Sequence, residues 1–269
     1  MKLLRRLRRA TRTDATLHAH GAVRRALSRD PRCLFISAMP KSGSSFLSYA
    51  LAELTGYSHA YCAYAYDRTE QEIYLPKVID AYGRGTVVQQ HVRANGPNLE
   101  ILRDFGIRPV VLVRNLFDVV VSVRDHLVKE SLTNFPSTYV SEQFLEFGEE
   151  HQLDFVVAFV VPWYLGFYVS WWDAERHGAL PFDWAVYDEI VDDWPGAVRQ
   201  ILGSRGFERS HGEVAAAIEK LRGEGHRRVR INQAVKNRGQ AALTPRQRDT
   251  ILSLTRFYPG VDFGRIGLR

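Results

Sequence analysis

The residues best suited to chemistry form a short basic loop, Pro40-Lys-Ser-Gly-Ser-Ser45. It joins an apolar run of strand type, Cys33–Ala38, to a stretch at 45–54 that predicts a helix. At such a junction, backbone N–H groups and the helix dipole converge on a bound anion. Gly43 allows close approach of the backbone, Lys41 adds a positive charge, and hydroxyl donors come from Ser44 and Ser45. The loop therefore predicts a phosphate cradle.

A second constellation follows the apolar run at 108–113. Arg114 comes directly after this predicted strand, and Ser122 lies eight residues later in a helix predicted to begin near Asp118, a good N-cap residue. Ligands of open α/β sheets bind at the carboxyl ends of strands. A guanidinium fork with a nearby hydroxyl suits a second phosphate. The alternative is that Arg114 forms an ion pair with Asp118.

A histidine also ends a predicted strand, at 85–90. His91 could accept a proton near neutral pH, because histidine titrates in that range. A lone histidine is usually structural, but a position between the two phosphate motifs favours a general base, with His126 and His59 as weaker alternatives. The sequence offers no compact cluster of His, Asp and Glu, so no metal is expected.

The order of these motifs resembles a known family. A strand followed by P-K-S-G-[ST]-[ST]-aromatic, and downstream by V-R-N-x-x-D-x-x-x-S, is similar to the paired signature of sulfotransferases that use PAPS (3′-phosphoadenosine 5′-phosphosulfate). In that family the first loop binds the 5′-phosphosulfate and the second element binds the 3′-phosphate. The resemblance implies a P-loop-like nucleotide-binding core and metal-free transfer of a sulfuryl group to an acceptor hydroxyl or amine.

The resemblance also assigns roles to residues. The first loop is matched by Lys41, Ser42, Gly43, Ser44 and Ser45. Phe46 matches the aromatic position that stacks on the adenine, and Arg114 with Ser122 matches the 3′-phosphate pair. His91 stands where many members have the general base. Lys41 would stabilise charge on the bridging oxygen as the S–O bond breaks. Leu116 departs from the family's usual proline.

Two further matches are less specific. The segment 184–190 resembles the family's Y-E-D-L segment, which would place Tyr187 near the adenine; the alternative is a core aromatic at a strand end. The family's basic R-K-G loop over the 3′-phosphate is not intact in 228–239. Arg230, Lys236 and Arg238 remain competing candidates for its role.

Strands alternating with helices predict a single α/β domain with a central parallel sheet flanked by helices, spanning 32–269. Further helices are predicted at 98–105, 195–203 and 211–222, and a last one opens at Thr244-Pro245. The uncharged run at 155–172 is long enough to span a bilayer, but Pro162 and Gly166 interrupt it. A buried helix is the favoured interpretation.

Charge is concentrated in a predicted arm at 1–31. The first 32 residues carry ten basic and two acidic side chains, a net +8 against +6 for the whole chain, so the remainder carries −2. Leu3, Leu4 and Leu7 alternate with arginines, which suits a weak anchor to an anionic membrane or an acidic partner; a solvated basic helix fits equally well. No apolar stretch of a secretory signal follows.

Cys33 and Cys62 lack metal-ligand spacing, which favours free thiols and a cytoplasmic location, with peripheral contact at the inner membrane surface as an alternative. Irregular stretches at 57–74 and 128–154 are candidates for acceptor-facing loops. The aromatic content of 57–74 and 155–184 favours a carbohydrate or lipid-linked glycan acceptor, with small phenols or alcohols second.

Two other functions fit part of the sequence. A P-loop kinase would share the fold but needs a Walker A lysine after its second glycine and an acidic residue at a strand end for Mg²⁺. Here the lysine precedes the glycine, and the strand ends carry Arg114 and His91. A non-catalytic protein that binds polyanions through the arm leaves both phosphate motifs unexplained. A near-neutral body also argues against specific nucleic-acid binding.

Overall fold

The computed structural model describes residues 19, 22, 32–64, 71–132, 138–223 and 236–268. Its sheet is built from β1 (Cys33–Ala38), β2 (Ser58–Ala60), β3 (Thr86–Gln90), β4 (Val110–Val113) and β5 (Asp183–Val186). The strand order is β2-β3-β1-β4-β5, and every pairing is parallel. The predicted parallel sheet is confirmed, with β1 at its centre.

Helices alternate with these strands along the chain. The α-helices of the described part are α1 (Ser44–Thr55), α2 (Leu75–Ala81), α3 (Gly96–Asp104), α4 (Leu116–Lys129), α5 (Glu149–Phe159), α6 (Val161–Arg176), α7 (Tyr187–Ile190), α8 (Trp194–Gly203), α9 (His211–Gly223), α10 (Arg238–Ala242) and α11 (Pro245–Leu254). Short 3₁₀ helices cover Glu142–Glu146, Thr255–Phe257 and Gly264–Ile266.

Both faces of the sheet are buried. Successive residues of β1 point to opposite faces, so Phe35 joins one hydrophobic cluster and Ile36 joins the other. The first cluster is covered mainly by α4, α5 and α6, and the second by α1, α8 and α9. The near-continuous apolar sequence of the strands follows from this double coverage.

The apolar run at 155–172 is divided between two helices. α5 ends at Phe159 and α6 begins at Val161, with Pro162 in its first turn, where proline is tolerated. Trp171 and Tyr168 of α6 are fully buried in the core. Glu149–Arg176 is long and apolar enough to cross a membrane, and 56% of its most apolar window is buried inside the protein. The run therefore forms two helices rather than one, with its buried residues packed in the core and Phe159 exposed.

The start of α4 differs from the prediction. The N-cap of α4 is Asn115, whose side chain accepts hydrogen bonds from Phe117 N and Asp118 N. The prediction of Asp118 as N-cap was wrong, because Asn115 has an equally suitable side chain and comes first. α11 does begin as predicted, with Thr244 and Gln247 forming a capping box ahead of the helix.

Candidate functional site

Four neighbouring strands end at one edge of the sheet. The basic loop follows β1, His91 follows β3, Arg114 follows β4 and Tyr187 follows β5. Because the strands are parallel and adjacent in the order β3-β1-β4-β5, their carboxyl ends lie side by side. This is the edge at which α/β proteins bind ligands. The topology thus brings together residues separated by up to 146 positions in the chain.

The basic loop between β1 and α1 has a specialised backbone. Lys41 has a φ of 65° and Gly43 a φ of 83°, both in the left-handed region. Ser42 is buried, and its Oγ donates to Met39 O at 2.5 Å, so its hydroxyl holds the turn together. α1 starts at Ser44 without a side-chain hydrogen bond from its N-cap, Gly43. The backbone N–H groups in the first turn of a helix have no partner within the helix, so an anion can bind at such a position.

Gly43 is required for a second reason. A Cβ at this position would lie 2.8 Å from Cε2 of Tyr187. The ring of Tyr187 is buried against the loop, and on it lies the guanidinium of Arg114, with Cζ 4.5 Å from the ring centroid. The loop, the aromatic ring and the arginine are therefore packed together. Tyr187 is a core aromatic at a strand end, the alternative given for it, and its contact with adenine stays a prediction.

Arg114 connects the two phosphate motifs. Its Nη1 donates to Lys41 O at 3.0 Å, and its Nη2 lies 3.9 Å from Oδ2 of Asp118. The ion pair that was the structural alternative for Arg114 is present. The same guanidinium also reaches the basic loop, so the ion pair orients it there. Ser122 is buried one helical turn beyond Asp118 on α4.

A C-terminal segment is bound to the start of α4. Asp118 accepts hydrogen bonds from Asn237 N and Gly239 N, each at 2.8 Å. Arg238 Nη2 donates to Oδ2 of Asp125 at 2.7 Å, and Lys236 Nζ contacts the carboxylate of Asp192. Lys236 and Arg238 thus lie beside the Arg114 end of the site, whereas Arg230 falls outside the described residues.

The imidazole of His91 is held in one tautomer. Its Nδ1 lies 2.7 Å from Ala38 O, so Nδ1 carries the proton and Nε2 is the acceptor. Burial lowers the pKa of His91 to about 4; the hydrogen bond to Ala38 opposes this shift, and the positive charge of Lys41 adds to it. The histidine is therefore neutral at neutral pH, with Nε2 able to accept a proton.

Glu130, a residue that the sequence analysis missed, lies beside the lysine. Its Oε1 is 3.7 Å from Lys41 Nζ, and its Oε2 is 3.0 Å from Nδ1 of His126. The available signal was the four-residue spacing of four polar side chains along α4 and its C-cap: Asp118, Ser122, His126 and Glu130. The weaker base candidate His59 is exposed on the edge strand β2, where its Nδ1 pairs with Ser48 Oγ.

The remaining predicted donor residues lie in the first turn of α1. Ser44 is buried and Ser45 is partly exposed. Phe46 is only 6% exposed and packs edge-on against Trp194, with ring centroids 4.7 Å apart. Its predicted stacking on adenine has little accessible ring area in this structure and stays a prediction. Within the described ranges, no group of three His, Cys, Asp or Glu side chains could hold a metal ion.

No family model and no curated protein sequence matches the chain. Solved structures do. Mouse sulfotransferase SULT7A1 complexed with PAP is 15% identical, with 88% of each chain covered and a TM-score of 0.62. Retinol dehydratase with androsterone and inactive cofactor PAP is 12% identical over 91% of this chain and 86% of that one, with a TM-score of 0.58. Its complex with retinol and PAP is 13% identical over 92% and 87%, with a TM-score of 0.54. The chain therefore has the sulfotransferase fold, a single α/β domain with a five-stranded parallel sheet flanked by helices.

Proposed function

We propose that this chain is a sulfotransferase that moves a sulfuryl group from PAPS to an acceptor hydroxyl or amine. The observation that carries the proposal is the direct link between the two phosphate motifs, the hydrogen bond from Arg114 Nη1 to Lys41 O at 3.0 Å. It joins a lysine-bearing anion cradle to a buried arginine at the ligand-binding edge of the sheet. Such a pair suits a nucleotide with two separate anionic groups, and the three similar structures contain PAP.

Different residues bind different parts of the donor. Backbone N–H groups of the basic loop and the first turn of α1 receive the 5′-phosphosulfate. The 3′-phosphate is bound by Arg114 and Ser122, and Tyr187 lies near the adenine. The segment 236–239 lies at this end of the site and offers Arg238, which Asp125 holds beside α4, as a further cation for the 3′-phosphate. Arg230 and Lys236 remain alternatives for that contact.

The chemical step needs a base and a cation. Nε2 of His91 takes the acceptor proton as the acceptor oxygen or nitrogen attacks sulfur. Lys41 stabilises the negative charge that develops on the oxygen leaving sulfur. The low pKa of His91 keeps the base form populated at neutral pH. No residue of this scheme needs a metal ion.

For the acceptor, we propose a carbohydrate or a lipid-linked glycan. The segment beginning at residue 71 is fastened to the base, because His91 N donates to Gln71 Oε1 at 2.9 Å. Tyr74 follows in this segment and pairs edge-to-face with Tyr64, with centroids 5.4 Å apart. Both tyrosines are exposed, as is Tyr139. Exposed tyrosine faces next to a base suit the apolar face of a sugar ring.

Transfer from labelled PAPS tests this function. We expect label to enter a glycan or glycolipid fraction without added Mg²⁺, and Lys41→Met to reduce the rate by about a hundredfold or more. Lys220→Met is the matched control, because Lys220 is also ion-paired but lies away from the sheet edge, on α9. If only small phenols were labelled, the proposed acceptor would change from a glycan to a small phenol. Transfer of phosphate from ATP with Mg²⁺ would replace the proposal with the kinase alternative.

A further inference from the structure

One face of α4 carries a polar stripe. Asp118, Ser122, His126 and Glu130 follow one another at four-residue intervals, so they lie in line along the helix. The first three are buried in a helix whose other buried residues are largely valine and leucine. Buried polar groups are retained where they have partners. The stripe faces the donor site at one end through Asp118 and at the other through Glu130.

Lys41 is held at two points by groups of this region. Its backbone oxygen accepts from Arg114 at 3.0 Å, and its Nζ lies 3.7 Å from Oε1 of Glu130. The side chain of Lys41 is 14% exposed and that of Glu130 is 41% exposed. The second carboxylate oxygen of Glu130 lies 3.0 Å from Nδ1 of His126. Glu130 is the C-cap of α4, so its carboxylate reaches the ammonium of Lys41 from the end of that helix.

We propose that Glu130 is a positioning residue that acts through Lys41: it is the counterion of the ammonium in the donor-free enzyme and competes with the donor for it. The proposal rests on the donor-binding role of Lys41 given above. An incoming phosphosulfate must take the ammonium from Glu130 and is repelled by the carboxylate. When the nucleotide product leaves, Glu130 pairs with Lys41 again. Glu130 therefore weakens nucleotide binding and favours product release.

The size of the effect follows from the exposure of the pair. Partly exposed ion pairs contribute little, so removal of the carboxylate should tighten binding of PAP by about two- to fivefold. Glu130→Gln keeps the shape of the side chain and removes its charge. Glu53→Gln is the matched control, because Glu53 is 39% exposed and pairs with Lys220 at 2.6 Å, away from the sheet edge.

Calorimetric titration with PAP measures the effect. We expect Glu130→Gln to bind PAP more tightly than the wild type and Glu53→Gln to bind it equally. A damaged fold cannot produce tighter binding, so the sign separates positioning from a structural role. The gain should disappear when Glu130→Gln is combined with Lys41→Ala. Unchanged or weaker binding in a folded Glu130→Gln protein, or a gain that persists without Lys41, would overturn the proposal.

A second measurement needs no nucleotide. An acylating reagent, read out by mass spectrometry, should label Lys41 faster in Glu130→Gln, since an ammonium held by a carboxylate reacts slowly. Glu53→Gln should accelerate labelling of Lys220 and leave Lys41 unchanged, which calibrates the assay. If the wild type binds no PAP but Lys41 labelling responds, the sulfotransferase function fails and the ion pair stands. If PAP binds and Lys41 labelling does not respond, Glu130 loses its role and the function stands.

Discussion

The imidazole of His91 is held by a hydrogen bond between its Nδ1 and Ala38 O. Burial disfavours the charged form and lowers the pKa to about 4, so the unprotonated Nε2 is present throughout the neutral range. The sequence alone supports a different expectation, a base that titrates near its ordinary value of about 6.5. The position of His91 was predictable from its strand end. Its pKa was not, because it depends on the packing around the ring.

The pH dependence of turnover follows from this shift. Since the folded-state pKa is depressed, protonation of His91 begins only as the pH falls toward 4. We expect kcat/KM to stay level between about pH 8 and pH 5 with respect to this group and to fall below that. His91→Gln should lower the rate, while His177→Gln should not, although His177 Nδ1 also pairs with a backbone oxygen, that of Asp173. A decline centred at pH 6–7 that His91→Gln removes would contradict a neutral base with a depressed pKa.

Arg114 should discriminate between nucleotides. Arg114→Ala is expected to weaken binding of PAP by about ten- to a hundredfold, because hydrogen bonds to charged groups contribute about 1.5–3 kcal/mol. Binding of 5′-AMP, which lacks the 3′-phosphate, should change much less. Titration of both nucleotides into both proteins provides the comparison. Equal losses for the two nucleotides would remove the 3′-phosphate from the role of Arg114 and leave it as a support of Lys41 and Tyr187.

The position of the short helix α10 is set by its close packing against α4. Asp118 holds the backbone of residues 237 and 239, and Gly239 contacts the backbone of Phe117 so closely that a Cβ would lie 2.3 Å from its carbonyl carbon. This packing explains why Asp118 is a tertiary anchor and not the N-cap of α4. The sequence could not show this role, because an aspartate near a helix start can either cap the helix or anchor a distant segment. The segment that Asp118 anchors is about 120 residues away.

Gly239→Ala tests the docking of α10. The added methyl group must push α10 away from α4, which should weaken PAP binding by about tenfold, since overpacking costs about 1–3 kcal/mol. Gly212→Ala is the control, because a Cβ at Gly212 in α9 meets open space. PAP titrations and thermal melts of both variants would be compared. Wild-type affinity in Gly239→Ala would show that α10 takes no part in the donor site.

The contact between the polar stripe of α4 and Lys41 could not be predicted from residue spacing. The two phosphate motifs were predictable because a strand, a turn and a basic residue follow one another locally. Glu130 lies outside any motif, and only the folded arrangement shows that the C-terminal end of α4 faces Lys41. Strands β1, β3 and β4 were likewise visible as apolar runs. The three-residue edge strand β2 has neither the length nor the hydrophobicity to be recognised in the sequence.

In the whole molecule, the excess positive charge and the folded domain lie in different parts of the chain. The parallel α/β architecture follows from alternating strands and helices, whereas the strand order depends on crossovers that no local pattern encodes. The positive charge belongs to the first 32 residues, of which only Ala19, Ala22 and Arg32 are in the described part. The boundary between a basic arm at 1–31 and the domain therefore remains a prediction, as do the cytoplasmic location and the contact with a membrane surface.

Deletion of residues 1–30 tests that boundary. The sheet should be unaffected, because its strands lie within 33–186 and the truncated chain keeps the bond from Thr86 N to Arg32 O. We expect PAP binding and sulfuryl transfer to be largely retained, and any affinity for nucleic acid or anionic vesicles to fall with the loss of positive charge. Co-sedimentation with vesicles and the transfer assay would be run side by side. Loss of transfer with an intact fold would place the arm in the enzyme's site.

The carboxyl edge of this sheet is expected to bind a nucleotide with a 3′-phosphate and a 5′-phosphosulfate. Calorimetric titration of the full chain with PAP, once with a chelator and once with Mg²⁺, tests this binding, with 5′-AMP and ATP as comparisons. We predict that PAP binds without Mg²⁺ and more tightly than either comparison nucleotide. Preference for ATP with Mg²⁺, or no binding of PAP to the folded protein, would contradict the account.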